Sequence, residues 1–213
     1  MTTEEIWQAI DAQRQRLVTV MEGFTEDEWR QPSLCEGWTV RDIGAHLSLH
    51  ASTMASVLVD FVRARGDVDL ATRHATRRRA RRPIEQIIGD LRAMIGSRKH
   101  FPGVSDEDML VDVLVHGLDM TVPLGRELEI APAAAAVAAD RIWERGKPFM
   151  AQRRLGGFRL VASDANWSAG SGSDVVAPIA AWLLILTGRL VALPQLSGEG
   201  AAGLSAKLSP VPA

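Results

Sequence analysis

The stretch MLVDVLVHGLDMTV, residues 109–122, decides how the chain is read. It is apolar enough to form the inside of a helix, yet it carries Asp112, His116 and Asp119. Burying such groups without partners costs several kcal/mol. At about 100° per residue these three, spaced i, i+4, i+7, fall on one stripe. The stripe needs partners, and the rest of the chain has to supply them.

Working outward, the helix containing this stretch spans 106–122 and stops at Pro123-Leu124-Gly125. Upstream, Ile6, Ile10, Leu17 and Met21 lie near helical spacing over 3–21, with Thr3 as a cap. Thr25-Glu26-Asp27-Glu28 has the form of a capping box that starts a short helical turn before Pro32. In EGWTVRDIGAHLSLH, residues 36–50, Gly37 breaks the chain and Thr39 caps a helix answered by Asp42. Its apolar stripe of Val40, Ile43, Leu47, Met54 and Leu58 predicts a single helix to about Val62. Residues 63–83 hold eight arginines without sustained periodicity and read as a loop or a polar helical segment. Pro83 suits the first turn of a helix carrying Ile84, Ile87, Ile88, Leu91 and Ile95. A further, alanine-rich helix starts near Pro132.

After Gly146-Lys147-Pro148 the texture changes. FRLVASDANWSAG, residues 158–170, alternates apolar and polar residues and predicts two short strands, with the following GSGS as a turn. The run VVAPIAAWLLILT, Val175 to Thr187, is too short to span a membrane, which takes about 20 residues, and reads as a buried helix. The expected fold is therefore mainly α: a helical bundle over 1–147, then a small α+β domain over 148–213 that packs on it, being marginal for folding alone.

The composition excludes several classes. The chain has 213 residues, 46% of them apolar, and its 24 basic and 26 acidic side chains leave a net charge of −2. That balance argues against nucleic acid and against an anionic membrane surface. A single cysteine, Cys35, excludes an intrachain disulfide and a cysteine-rich zinc cluster, and fits a reducing compartment, the cytoplasm by default. The first residues, MTTEEIWQAIDAQRQRL, do not have the form of a signal peptide.

His46 and His50 stand one turn apart, and so do Asp112 and His116 on another helix. Two antiparallel helices so equipped can aim imidazole and carboxylate at one ion. Imidazole nitrogen plus carboxylate oxygen, three protein ligands with an open fourth position, is the pattern of catalytic zinc. Asp119 then accepts from the free ring N–H of His116 or acts as a counter-charge. The plainer reading is a chance i, i+4 pair with a half-exposed His46.

The blocks LCEGWTVRDIGAHL, 34–47, and DVLVHGLDMTVPLGRE, 112–127, resemble the mycothiol-dependent maleylpyruvate isomerase family. Residues 158–189 are similar to the small C-terminal domain of the same family. The resemblance implies a DinB-like four-helix bundle, a divalent metal such as Zn2+, and mycothiol as thiol cosubstrate acting on a small electrophile. It carries the metal ligands to His46, Asp112 and His116. Asp112 stands where the family pattern has the longer glutamate, and His50 is the alternative third ligand. The family chemistry is either cis–trans isomerisation or thiol S-transfer. A homodimer is allowed.

Other residues have plain readings. Of the cations that could hold a dicarboxylate, Arg41 reads as a surface salt bridge, the Arg73–Arg82 cluster as a solvated segment, and Arg189 as a helix C-terminal cation. Cys35, with no adjacent histidine evident, reads as a buried structural thiol, and Trp38 as the N′ residue of a hydrophobic staple. Trp167 reads as core of the small sheet, while His74 and His100 show no chemistry. The competing account is a non-catalytic helical bundle that binds a small ligand or another subunit, its polar stripe buried at an interface.

Overall fold

The computed structural model of the protein describes residues 1–51, 54–101 and 103–209, and of Met54 and Ala55 the backbone alone. The place of the Met54 side chain in the apolar stripe thus lies outside the described residues. The chain divides into two compact units, Thr3–Glu129 and Ile130–Ala213 together with Met1–Thr2. The division falls before Pro132–Glu144, not at 147/148, because that helix packs against the helix Ile179–Leu186. The chain is mainly helical with one small sheet, as the sequence predicts.

In the first unit α1 (Thr3–Glu22), α3 (Val40–Leu47), α6 (Ile84–Arg92) and α7 (Asp106–Thr121) form a closed ring of neighbours. α1 packs on α6 and α7, and α3 packs on the same two. The core between them includes Ile10, Leu17, Met21, Ile43, Ile87, Leu91, Leu110 and Leu114, all essentially inaccessible. Gly44 lets α3 sit close, since a Cβ there would lie 3.1 Å from Trp29 and 3.2 Å from Met21. The buried Arg14 ties α1 to the end of α6 by donating to the carbonyls of Met94 (2.6 Å) and Ser97 (3.2 Å).

Capping sets the helix starts. Thr39 with Asp42 and Ser105 with Asp108 form reciprocal capping boxes at α3 and α7. Thr25 and Glu28 do the same at α2 (Glu26–Arg30). The helix expected to run from Thr39 to Val62 is instead broken. α3 ends at Leu47, a 3-10 turn covers Ser48–Ala51, and α4 is Met54–Arg63. The Ser48 hydroxyl donates to the Ala45 carbonyl (2.8 Å), the kind of side-chain competition that ends a helix. The arginine-rich segment contains α5 (Val68–Arg79), capped by Asp67. Among the described residues no helix is long and apolar enough to cross a membrane.

The second unit contains α8 (Pro132–Glu144), α9 (Ala151–Leu155), β1 (Phe158–Ala162), β2 (Ser168–Gly170), β3 (Ser173–Ala177), α10 (Ile179–Leu186) and α11 (Ala201–Leu208). The sheet order is β2-β1-β3, with β1 antiparallel to β2 and parallel to β3. Residues 175–177 are thus strand, not the start of the helix expected over 175–187. A fully buried strand and a buried helix share one apolar texture, and Pro178 separates them by holding its predecessor extended. Trp167 is buried, and its indole N–H donates to Asp140 of α8 (2.8 Å).

Two outcomes follow. Gly172 has φ +122°, and a Cβ there would clash with the Gly157 carbonyl just before β1. Gly172→Ala is expected to cost on the order of 3 kcal/mol, read as a fall in thermal midpoint by circular dichroism. Glu28 is held at about 2 by hydrogen bonds from Arg126 and from the Thr25 backbone. A depressed carboxylate contributes stability above its unfolded value, here 4.5, and loses it as pH falls through the folded one. Glu28→Gln should therefore lower the midpoint at pH 7, and the difference from wild type should vanish as pH approaches 2.

Candidate functional site

α3 and α7 face each other, and the polar stripe of α7 meets the histidines of α3 and the turn that follows it. His46 Nε2 lies 3.3 Å from Asp112 Oδ1, and His116 Nε2 lies 3.6 Å from the same oxygen. His50 Nε2 lies 3.3 Å from the other oxygen, Oδ2. The donor atoms of His46, Asp112 and His116 all lie within 4.8 Å of one another, a set that does not include His50. Their side chains are 18%, 22% and 18% exposed, so the cluster opens to solvent on one side.

The surroundings fix these rings. Trp38 packs edge-on against His46 (centroids 5.3 Å), which adds a contact with the cluster to its place before the α3 cap, and His46 packs likewise against His116 (4.8 Å). Phe101 lies against His50 (5.2 Å). Asp119 is fully buried and pairs with His116 Nδ1 at 2.8 Å, as the spacing suggested.

Cys35 is placed where the sequence did not put it. Its Sγ donates to Asp119 Oδ2 (3.1 Å) and lies 3.9 Å from His116 Nδ1. The cause is a long-range backbone clasp. Pro32 and Thr39 form an antiparallel bridge that folds 32–39 back on itself, and the Leu34 N–H donates to the Asp119 carbonyl (3.1 Å). Gly37, at φ +73°, makes that turn. Cys35, His116 and Asp119 form a second set of close donor atoms.

The electrostatics follow from burial and pairing. Burial pushes the His46 imidazole below its ordinary range, against the opposing pull of Asp112. Burial opposes charge on His116 too, but Asp119, Cys35 and Asp112 outweigh it and push that imidazole up to about 10. Asp112 is also resisted by burial, yet the hydrogen bonds from His46 and His50 hold it well below the usual carboxylate range. It is an anion among imidazoles.

Five of the arginine candidates are engaged elsewhere. Among the described residues Arg41 makes no salt bridge: it donates to the carbonyls of Ala80 (2.6 Å) and Arg82 (2.7 Å), just past the end of α5. Arg78 pairs with Asp60 in a two-pronged contact, and Arg79 and Arg82 share Asp90. Arg189 donates to the Thr187 carbonyl at the end of α10 (2.9 Å). His100 stacks on Trp7, and no role follows for it.

Residues 10–121 match the mycothiol maleylpyruvate isomerase N-terminal domain family, which covers more than half of the chain. No curated protein matches the sequence. Among solved structures, the crystal structure of the mycothiol-dependent maleylpyruvate isomerase is similar in fold, with a TM-score of 0.59 and 15% identity over 89% of this chain and 90% of that chain. A histidine-to-alanine mutant of that isomerase gives 0.59 and 14% over the same shares. At such identities the likeness is one of fold. The family match, whose span includes the α3 and α7 segments that build the cluster, makes the chain a member of the mycothiol maleylpyruvate isomerase N-terminal domain family.

Proposed function

We propose that the protein is an enzyme that uses mycothiol as thiol cosubstrate on a small electrophile, at a divalent-metal centre held by His46, Asp112 and His116. The observation that carries this reading is the convergence of those donor atoms within 4.8 Å at a partly open position. In a tetrahedral centre with bonds of ~2.1 Å, ligand atoms stand roughly 3.4 Å apart. The separations of 3.3 Å and 3.6 Å accord with that spacing, and two imidazoles with one carboxylate suit zinc or a similar ion.

When bound, the metal lowers the pKa of a thiol at its open position, so that a thiolate is present at neutral pH. The chain's residues prepare that position. Burial favours the neutral form of His46, in which a ring nitrogen can act as a lone-pair donor. Asp119 fixes the His116 ring through Nδ1 and so turns Nε2 toward Asp112. Asp112 supplies the negative charge. Trp38 packs edge-on against His46, whose side chain keeps 18% of its surface accessible.

The reaction class that fits is isomerisation by addition and elimination. The thiolate adds to an activated cis double bond, the resulting single bond rotates, and the same thiolate leaves to give the trans isomer. Retention of the thiol would instead be an S-transfer, which needs the same centre. The family and the fold of the known isomerase favour the first. A cytoplasmic setting accords with the single free thiol of the chain.

Protein purified without a metal-binding tag should carry about one equivalent of a divalent metal by elemental analysis, and should catalyse a mycothiol-dependent cis–trans isomerisation. His46→Ala and His116→Ala should each lose both. Absence of metal after reconstitution would favour the non-catalytic bundle instead. Asp119→Asn keeps the shape but loses the anion facing His116 Nδ1, and is expected to weaken metal binding about 10- to 100-fold, measured by competition with a chelating dye.

A further inference from the structure

The three imidazoles around Asp112 do not act on it alike. His46 and His116 approach Oδ1, and His50 alone approaches Oδ2, at 3.3 Å. The terminal torsion of an aspartate is broad and nearly two-fold, so its oxygens are not sorted by the side chain itself. A donor on one oxygen sorts them. The 3-10 winding of Ser48–Ala51, three residues per turn against 3.6, swings His50 further round than a continued α-helix would. His46 and His50 thus reach opposite edges of one carboxylate, and Phe101 backs the His50 ring.

We infer that His50 is a positioning residue: its Nε2–H donates to Asp112 Oδ2 and fixes the carboxylate with Oδ1 turned toward His46 and His116. His50 is not itself a ligand. This role rests on the metal-centre reading given above. It assigns the two oxygens of Asp112 separate tasks, one toward the ion and one toward the protein. It also explains why the turn after α3 carries an imidazole outside the set of mutually close donors.

The test uses the full chain and Co2+ as probe, with the wild type, His50→Ala, His50→Gln and His46→Ala compared for Co2+ affinity and for the visible ligand-field spectrum. Glutamine keeps an N–H that can reach Oδ2, and alanine does not. The expected result is a 10- to 100-fold weaker affinity in His50→Ala, of the order typical for a group that orients a ligand, and recovery of most of it in His50→Gln. Both loaded variants should keep the wild-type band positions, because the ligands are unchanged. Shifted bands in His50→Ala would make His50 a ligand and overturn the proposal, as would unchanged affinity, or equal weakening in both His50 variants. Failure of the wild type to bind Co2+ would overturn the metal-centre reading itself and this role with it, whereas the preceding results would overturn the role alone.

Discussion

The structure of the first unit turns on one partly buried charge. Asp112 lies inside the wall between α3 and α7, where an unpaired carboxylate would be costly to desolvate. Three imidazoles from the chain surround it, two on one oxygen and one on the other. This arrangement pins α3 against α7 and sets the rotation of α7 about its axis. A plain hydrophobic seam would set neither so narrowly, since apolar packing tolerates repacking at similar volume.

The supports around that charge are arranged in layers. Asp119, one turn further along α7, holds His116, and is itself contacted by Cys35 from the 32–39 clasp. The clasp ends at Thr39, the residue that caps α3 and so sets where His46 stands. One short segment therefore does two things: it starts the helix that bears His46 and it closes over the buried partner of His116. Gly44 in the same helix allows the close approach to Trp29 and Met21 that seats α3 against the core. A substitution in this segment would disturb the cluster from two directions at once.

Much of this was legible in the residues, and what was not has physical causes. The i, i+4, i+7 spacing of Asp112, His116 and Asp119, the pairing of His46 with the stripe, and the capping boxes at Thr25 and Thr39 are local patterns, and local patterns survive into the fold. The surroundings of Cys35 are not legible in the sequence because its neighbours are brought to it by a hydrogen bond between residues 34 and 119, which no spacing reports. The break after Leu47 depends on a serine hydroxyl choosing a backbone carbonyl, while the apolar stripe runs on past it. β3 was hidden in a continuous apolar run, where only Pro178 marked the change. Arg41 reads locally as half of a surface ion pair, whereas the carbonyls just past α5, distant in sequence, accept from it.

The family gives this arrangement a chemical context, and the two overlapping donor sets give it a sharp test. His116 belongs to both: through Nε2 to the set with His46 and Asp112, and through Nδ1 to the set with Cys35 and Asp119. Anomalous diffraction from zinc-loaded crystals, recorded on both sides of the zinc absorption edge, would locate the ion directly. The account predicts one peak bonded to His46, Asp112 and His116 Nε2, with Asp119 still on Nδ1. A peak at Cys35, His116 and Asp119, or none within bonding distance of Asp112, would contradict it.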